Sequence, residues 1–406
     1  MTRFLFACGL LLLVTPSAFS EPAKNSLIVH EWGVFRVNSD VDFANADMRA
    51  EWDNLPDFVY GHIKGRVVPQ HWGAVEIRKR PIIFFRSAEP MMARVKIDFP
   101  GGMPGVWYPA TINPTVFGGE RQPKTGTTLE WALGIKQCPQ GWHPKQATGP
   151  AVDAKHWFAR IRQVKCDEIF SAYSENPIDV EREKFLYYDG LFPQGKWLKV
   201  AVEKDRVSVT SQVKHPVFDV TVVDRRTDKV RVGRIAKMDA GATIQSVTFE
   251  EMDGSKFASD ASDVLTKQIV EAGLNVDEAG SLVDLWRKDL FETPGLHLYF
   301  RLPQSEYDAR MPLTITPRPK EVIRIGLVFQ GHLEPDFVER VLELVKQLDS
   351  ERFVDRDAAT KKLLAIGPAA LVQIQKLRGR RDLSAEVRER MDVLIKKWNA
   401  KEGFDH

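Results

Sequence analysis

The sequence lacks most of the patterns by which enzymes and membrane proteins declare themselves. Only three cysteines occur in 406 residues, with no Cys-x-x-Cys spacing, so a structural zinc site is not expected. The histidines form neither His-Glu-x-x-His nor His-x-His, and there is no Gly-x-Ser-x-Gly nucleophile turn. Gly101-Gly102 and Gly118-Gly119 have no following helix to cradle a phosphate, and read as turns. No cofactor is therefore expected. Beyond the first fourteen residues no apolar run approaches the ~20 residues that a spanning helix needs. Neither sign of charge is in excess: the formal net charge is +2, which gives no general drive towards nucleic acid or anionic membrane.

What is present begins with an address. Arg3 supplies one positive charge, and residues 4–14 form an unbroken apolar and small-residue run. Thr15-Pro16-Ser17 ends that run, and Ala18 and Ser20 place small residues before Glu21. Together these form a secretory signal peptide over 1–20, which predicts an exported, periplasmic or extracellular protein. Cys8 lies inside the apolar run, which disfavours a lipoprotein. The remaining chain is longer than one hydrophobic core usually organises. Cys138 and Cys166 form an even pair in an oxidising compartment. The expectation is a disulfide between them, stabilising by about 3–4 kcal/mol.

Residues 26–249 read as β structure, with apolar or alternating runs at 27–37, 81–86, 94–99, 128–135, 157–164, 184–188, 198–202, 206–213, 217–224 and 229–235. Around 217–224 both alternating sets are apolar, as in a strand covered on both faces. Residues 224–228 are its polar hairpin connection. The period then changes: Val264, Leu265, Ile269 and Val270, then Leu282, Val283, Leu285, Trp286 and Leu290, predict a helical pair packed on the β body. Residues 295–302 and 312–329 return to strand composition. Pro312, Pro317 and Pro319 suit only an edge strand or an extended arm, because proline cannot donate to a ladder. From residue 334 charge and leucine alternate at helical period, predicting a tail of two helical hairpins with Gly367-Pro368 between them.

The candidates for chemistry are few. His30-Glu31-Trp32 offers a base, an acid and a stacking ring. On a strand, however, His30 and Trp32 share one face and Glu31 takes the other. Trp107-Tyr108, beside Pro104-Gly105, reads as a loop-borne platform for a sugar ring. Seven of the ten tryptophans precede residue 160, and core packing is the commoner fate of such rings. Glu31, Glu130 and Asp189 are the carboxylates a glycan hydrolase would draw on. In the last helices Lys376, Arg378, Arg388 and Lys396 interleave with acids. Glu386–Arg390 and Asp392–Lys396 are spaced for ion pairs on a solvated face.

Two stretches resemble known families. Residues 348–371, with Arg356-x-x-Ala359-Thr360 on one helix and Gly367-x-x-Ala370 opening the next, are similar to one HEAT-type repeat of the form appended to secreted planctomycete-type bacterial proteins. That resemblance implies contact with another protein surface rather than chemistry. The body resembles a family of uncharacterised exported proteins of the same bacterial group. It does so through His30-Glu31-Trp32-Gly33, the apolar run 81–86, Trp107-Tyr108-Pro109, Phe185-Leu186-Tyr187-Tyr188 and the element 311–317. It departs from them at Val34-Phe35-Arg36, where members carry Thr-Phe-Thr, and at Lys79-Arg80-Pro81, where they carry Glu-Thr-Pro. This resemblance implies relatives without implying an activity.

The expected architecture is thus α+β. A β-sandwich-like body spans 21–330, with a possible division near 175 and a packed helical pair, and a HEAT-like helical tail spans 333–406. The leading functional expectation is a non-catalytic binding or scaffold protein of the cell envelope that meets a protein partner through its tail. A secreted glycan hydrolase is the rival from a different class. The low-ranked ligand-binding candidates are His30, Glu31, Trp32, Trp107 and Tyr108.

Overall fold

Single polar residues set into apolar runs, such as Glu31 and Arg324, sit at the centre of the main sheet. The computed structural model describes residues 26–38, 52, 55–61, 75–112, 127–136, 149–172, 180–193, 195–203, 206–227, 229–378 and 383–401. The expected signal peptide at 1–20, Cys8, Cys138, Trp72, Trp142, His62, His71, His143 and His406 lie outside them.

Among the described residues the strands form three sheets. The largest has nine. In spatial order they are β14 (Glu250–Met252), β12 (Val230–Met238), β11 (Val217–Arg225), β15 (Gly295–Arg301), β17 (Glu321–Gln330), β1 (Ile28–Asn38), β2 (Val75–Arg86), β8 (Leu186–Pro193) and β4 (Met103–Tyr108). β1 runs parallel to β17 and antiparallel to β2, with a bulge between Trp32 and Val34. A five-stranded sheet orders β16 (Leu313–Thr316), β3 (Met91–Asp98), β5 (Thr128–Ile135), β6 (Ile169–Ala172) and β7 (Val180–Glu183). A three-stranded sheet orders β13 (Thr243–Ile244), β10 (Arg206–Ser211) and β9 (Leu198–Glu203). Strands from both sides of residue 175 share the nine-stranded sheet.

Each face of that sheet builds its own core. One face, with Val29, Phe35, Phe85 and Val328, packs on Val95, Trp131 and Val209 of the smaller sheets, giving the sandwich-like body. The other face carries Trp32, Phe84, Tyr187 and Tyr299. It is covered by α1 (Trp157–Ile161), α2 (Phe257–Glu271), α3 (Val276–Arg287) and a π-helical turn at Lys288–Glu292. The helical pair is therefore part of the body, as its periodicity suggested. β11 is buried on both sides, and β16 with its flanking prolines is a sheet edge.

Residues 157–164 are not a strand. The His156 side chain accepts the Phe158 N–H at 3.1 Å and starts α1, turning Trp157, Phe158 and Ile161 into the core. Their spacing of one and three fits a helical face rather than alternation. The expected Cys138–Cys166 disulfide is also absent. Cys166 is a free thiol whose Sγ donates to the carbonyls of Lys184 (3.2 Å) and Val164 (3.6 Å), and burial pushes its pKa up to about 12.

After α4 (Gln304–Arg310) and β17, four helices form the C-terminal stretch: α5 (Phe337–Gln347), α6 (Phe353–Ile366), α7 (Pro368–Arg378) and α8 (Ala385–Lys401). They bury Val341, Leu344, Leu363, Ile374, Met391 and Leu394 against one another in a third, separate core. Among the described residues no helix is long and apolar enough to cross a membrane.

Candidate functional site

β1 divides its candidate cluster between the two faces of the sheet. His30, only 4% exposed, points to the helical face, where its Nδ1 lies 2.7 Å from Glu278 Oε2. Glu278 is wholly buried on α3. The Asn275 N–H donates to the same oxygen at 2.9 Å, and Arg86 Nη2 approaches Oε1 at 2.9 Å. One carboxylate thus caps a helix and joins two strands to it. Trp32 packs in the same apolar layer, tilted against Phe84.

Glu31 faces the opposite way. Its register neighbour on β17 is Arg324, whose Nε donates to Oε2 at 2.7 Å. The hydroxyls of Tyr188 and Tyr307 donate to Oε1. Arg324 also lies 4.0 Å over the Tyr307 ring and bonds Asp308 and the Met311 carbonyl. Burial alone would lower the pKa of Arg324, but the adjacent Glu31 charge raises it further, so the guanidinium is firmly held. This network is closed: Glu31, Tyr188, Tyr307 and Arg324 are all buried.

Trp107-Tyr108 is not a loop platform but the end of β4, with both rings buried. Successive residues on a strand point oppositely. Tyr108 therefore packs with Phe58 and Phe158 on the helical face, while Trp107 stacks on Tyr60 and packs on the other. Beside them Gly105 leaves room for Trp52, since a Cβ there would stand 2.4 Å from that ring. Two strands separate β4 from β1, about 14 Å in the sheet. His30-Glu31-Trp32 and Trp107-Tyr108 are therefore not brought together, and the described tryptophans outside the tail are all core residues.

The three carboxylates considered for glycan hydrolysis are also dispersed. Asp189 lies on the helical side of β8 and accepts the Trp52 indole N–H (3.0 Å), the Arg80 backbone N–H (2.8 Å) and the Tyr187 hydroxyl. Glu31 lies on the opposite face of the sheet, and Glu130 pairs with Arg94 on the five-stranded sheet. Among the described residues no group of three or more His, Cys, Asp or Glu side chains is placed to hold a metal.

Residues that the sequence did not single out form further buried ties of the same kind. Glu76 meets Trp197 Nε1 (2.8 Å) and Arg310, and Glu183 meets Arg162 at 2.7 Å. The available signal was one charged residue within an apolar run, as at Glu31 and Arg324. No family model and no curated protein matches the chain.

The tail differs from the body in what it displays. Phe353 and Val354, adjacent at the start of α6, are 65% and 67% exposed. A shallow depression of about 440 Å³ follows α8 past Arg388, Glu389, Asp392, Val393 and Lys396. Glu386 and Arg390 pair at 2.8 Å as their spacing suggested. Asp392 instead reaches across to Arg378 on α7, so this acid ties two helices together rather than pairing along one.

Proposed function

We propose that this is an exported, non-catalytic binding or scaffold protein of the cell envelope, and that its HEAT-like tail is the module that meets a protein partner. The observation that carries this reading is the adjacent exposed pair Phe353 and Val354 on a helical stack that already has a complete core of its own. Such side chains add nothing to that core and are suited to burial against another surface. The body supports the reading in a different way. Its polar candidates are internal ties between strands and helices, which suits a rigid platform.

The test uses residues 21–406 immobilised and exposed to an envelope extract, beside the variant carrying Phe353→Asp and Val354→Asp and a chain lacking 333–406. A partner retained by the parent should fall at least about tenfold in both, equivalent to 1.4 kcal/mol, with the β-sheet circular dichroism of the body unchanged. Equal retention by all three removes the tail from the function.

A further inference from the structure

The border between body and tail is crossed by one wholly buried carboxylate. The four tail helices share a core drawn only from residues 337–395, and they pack on one another with only sparse contact to any body element. The joining residues are 331–336, between β17 and α5. There the Leu333 N–H donates to the Leu296 carbonyl at 2.8 Å. Glu334 turns its side chain inward: Oε2 accepts the Leu296 N–H at the start of β15 (2.9 Å), and Oε1 meets the Arg340 guanidinium from α5. Gly295 makes room for it, since a Cβ there would stand 2.5 Å from the carboxylate, and its φ of 102° favours glycine. His332 packs its ring 4.5 Å from Phe337, which Arg340 also covers.

We propose that Glu334 is a latch that fixes the tail against the body, and that its opening lets the tail swing as a folded unit about residues 331–336. The closed state is favoured because a carboxylate buried against Leu296 and Arg340 would be costly with only one of those partners. The open state is accessible because both charges then reach water together, while the separate cores leave body and tail intact. One linker residue thus holds a strand of the body and a helix of the tail in register.

The experiment compares the full chain with Glu334→Gln, Arg340→Met and, as control, Glu339→Gln on the exposed side of α5. Hydrogen exchange is read at Leu296 and Leu333, with proteolysis of 331–336 and small-angle scattering alongside. Glu334→Gln should speed exchange and cleavage at the junction at least about tenfold, from loss of a charge-assisted bond, and enlarge the radius of gyration. The remaining amides of β15, β17 and α6 should keep their protection. Junction rates equal to those of Glu339→Gln overturn the proposal. So does exchange that spreads through β15 and β17 together, which would make Glu334 part of the body's own stability. Should Glu334→Gln fail to fold, Arg340→Met decides, because it keeps the Leu296 bond. Failure of both to fold also overturns the latch.

Discussion

Glu31, Glu76, Glu183, Glu278 and Glu334 are each buried against an arginine, which makes every one of them conditional on its partner. Removing one side of such a pair generally costs about 3–5 kcal/mol, although an apolar replacement of both can be neutral. Two histidines, His297 wholly buried and His332 partly so, are shifted towards their neutral form. Burial pulls His297 down to about 4, more than its bond to the Leu290 carbonyl restores, with Arg225 lowering it and Asp289 and Asp224 opposing. Burial likewise takes His332 to about 3, helped by Arg36, His297 and Arg340 and opposed by Asp289. Both groups ionise near 6.5 when unfolded. Between that pH and their folded values the unfolded chain binds more protons, so their stability contribution is full above pH 7 and is lost as pH falls. For His297 alone the loss should reach about 2 kcal/mol by pH 5. Urea unfolding of the parent and His297→Gln at pH 7.5, 6 and 5 checks this. The gap between the two proteins should narrow as the pH drops, and a constant gap contradicts the assignment.

α3 is attached to the sheet by its own cap. Glu278 belongs to the first turn, accepts the Asn275 N–H, and reaches His30 on β1 and Arg86 on β2 with the same carboxylate. Glu278→Ala should therefore cost about 2–4 kcal/mol in urea unfolding, with amide protection falling in α2 and α3 before the sheet. A loss below 1 kcal/mol would mean that the apolar layer alone positions the helices. Elements were legible in the sequence where they were long and periodic. The tail helices, the doubly apolar β11 and its hairpin, and the proline-flanked edge strand all followed from spacing. α1 is five residues long and its apolar content resembles a strand, so only its short one-and-three spacing and its cap at His156 distinguish it. β4 was hidden by Pro104 and Gly105, which read as a turn but lie within an edge strand.

At the scale of the whole molecule the three cores predict stepwise unfolding. The tail shares no core with the body, so calorimetry should resolve a tail transition distinct from that of the sheets. Leu363→Ala, at a fully buried tail position, should destabilise that transition by about 2–5 kcal/mol and leave the other in place. One shared transition moved as a whole would refute the separation. The candidate residues themselves were visible in the sequence, whereas their partners were not. His30 finds Glu278 across 248 residues, and Glu31 finds Arg324 across 293. No local pattern carries such a pairing, because it is set by which strands lie side by side.

The parallel pairing of β1 with β17 also dictates an order of assembly. A ribosome that has released β1 must still make almost three hundred residues before that strand gains its neighbour on one side. Contacts so distant along the chain slow folding, so the nascent body stays open for most of its synthesis. Until β17 is made, β1 has no neighbour on that side, and the nine-stranded sheet cannot close.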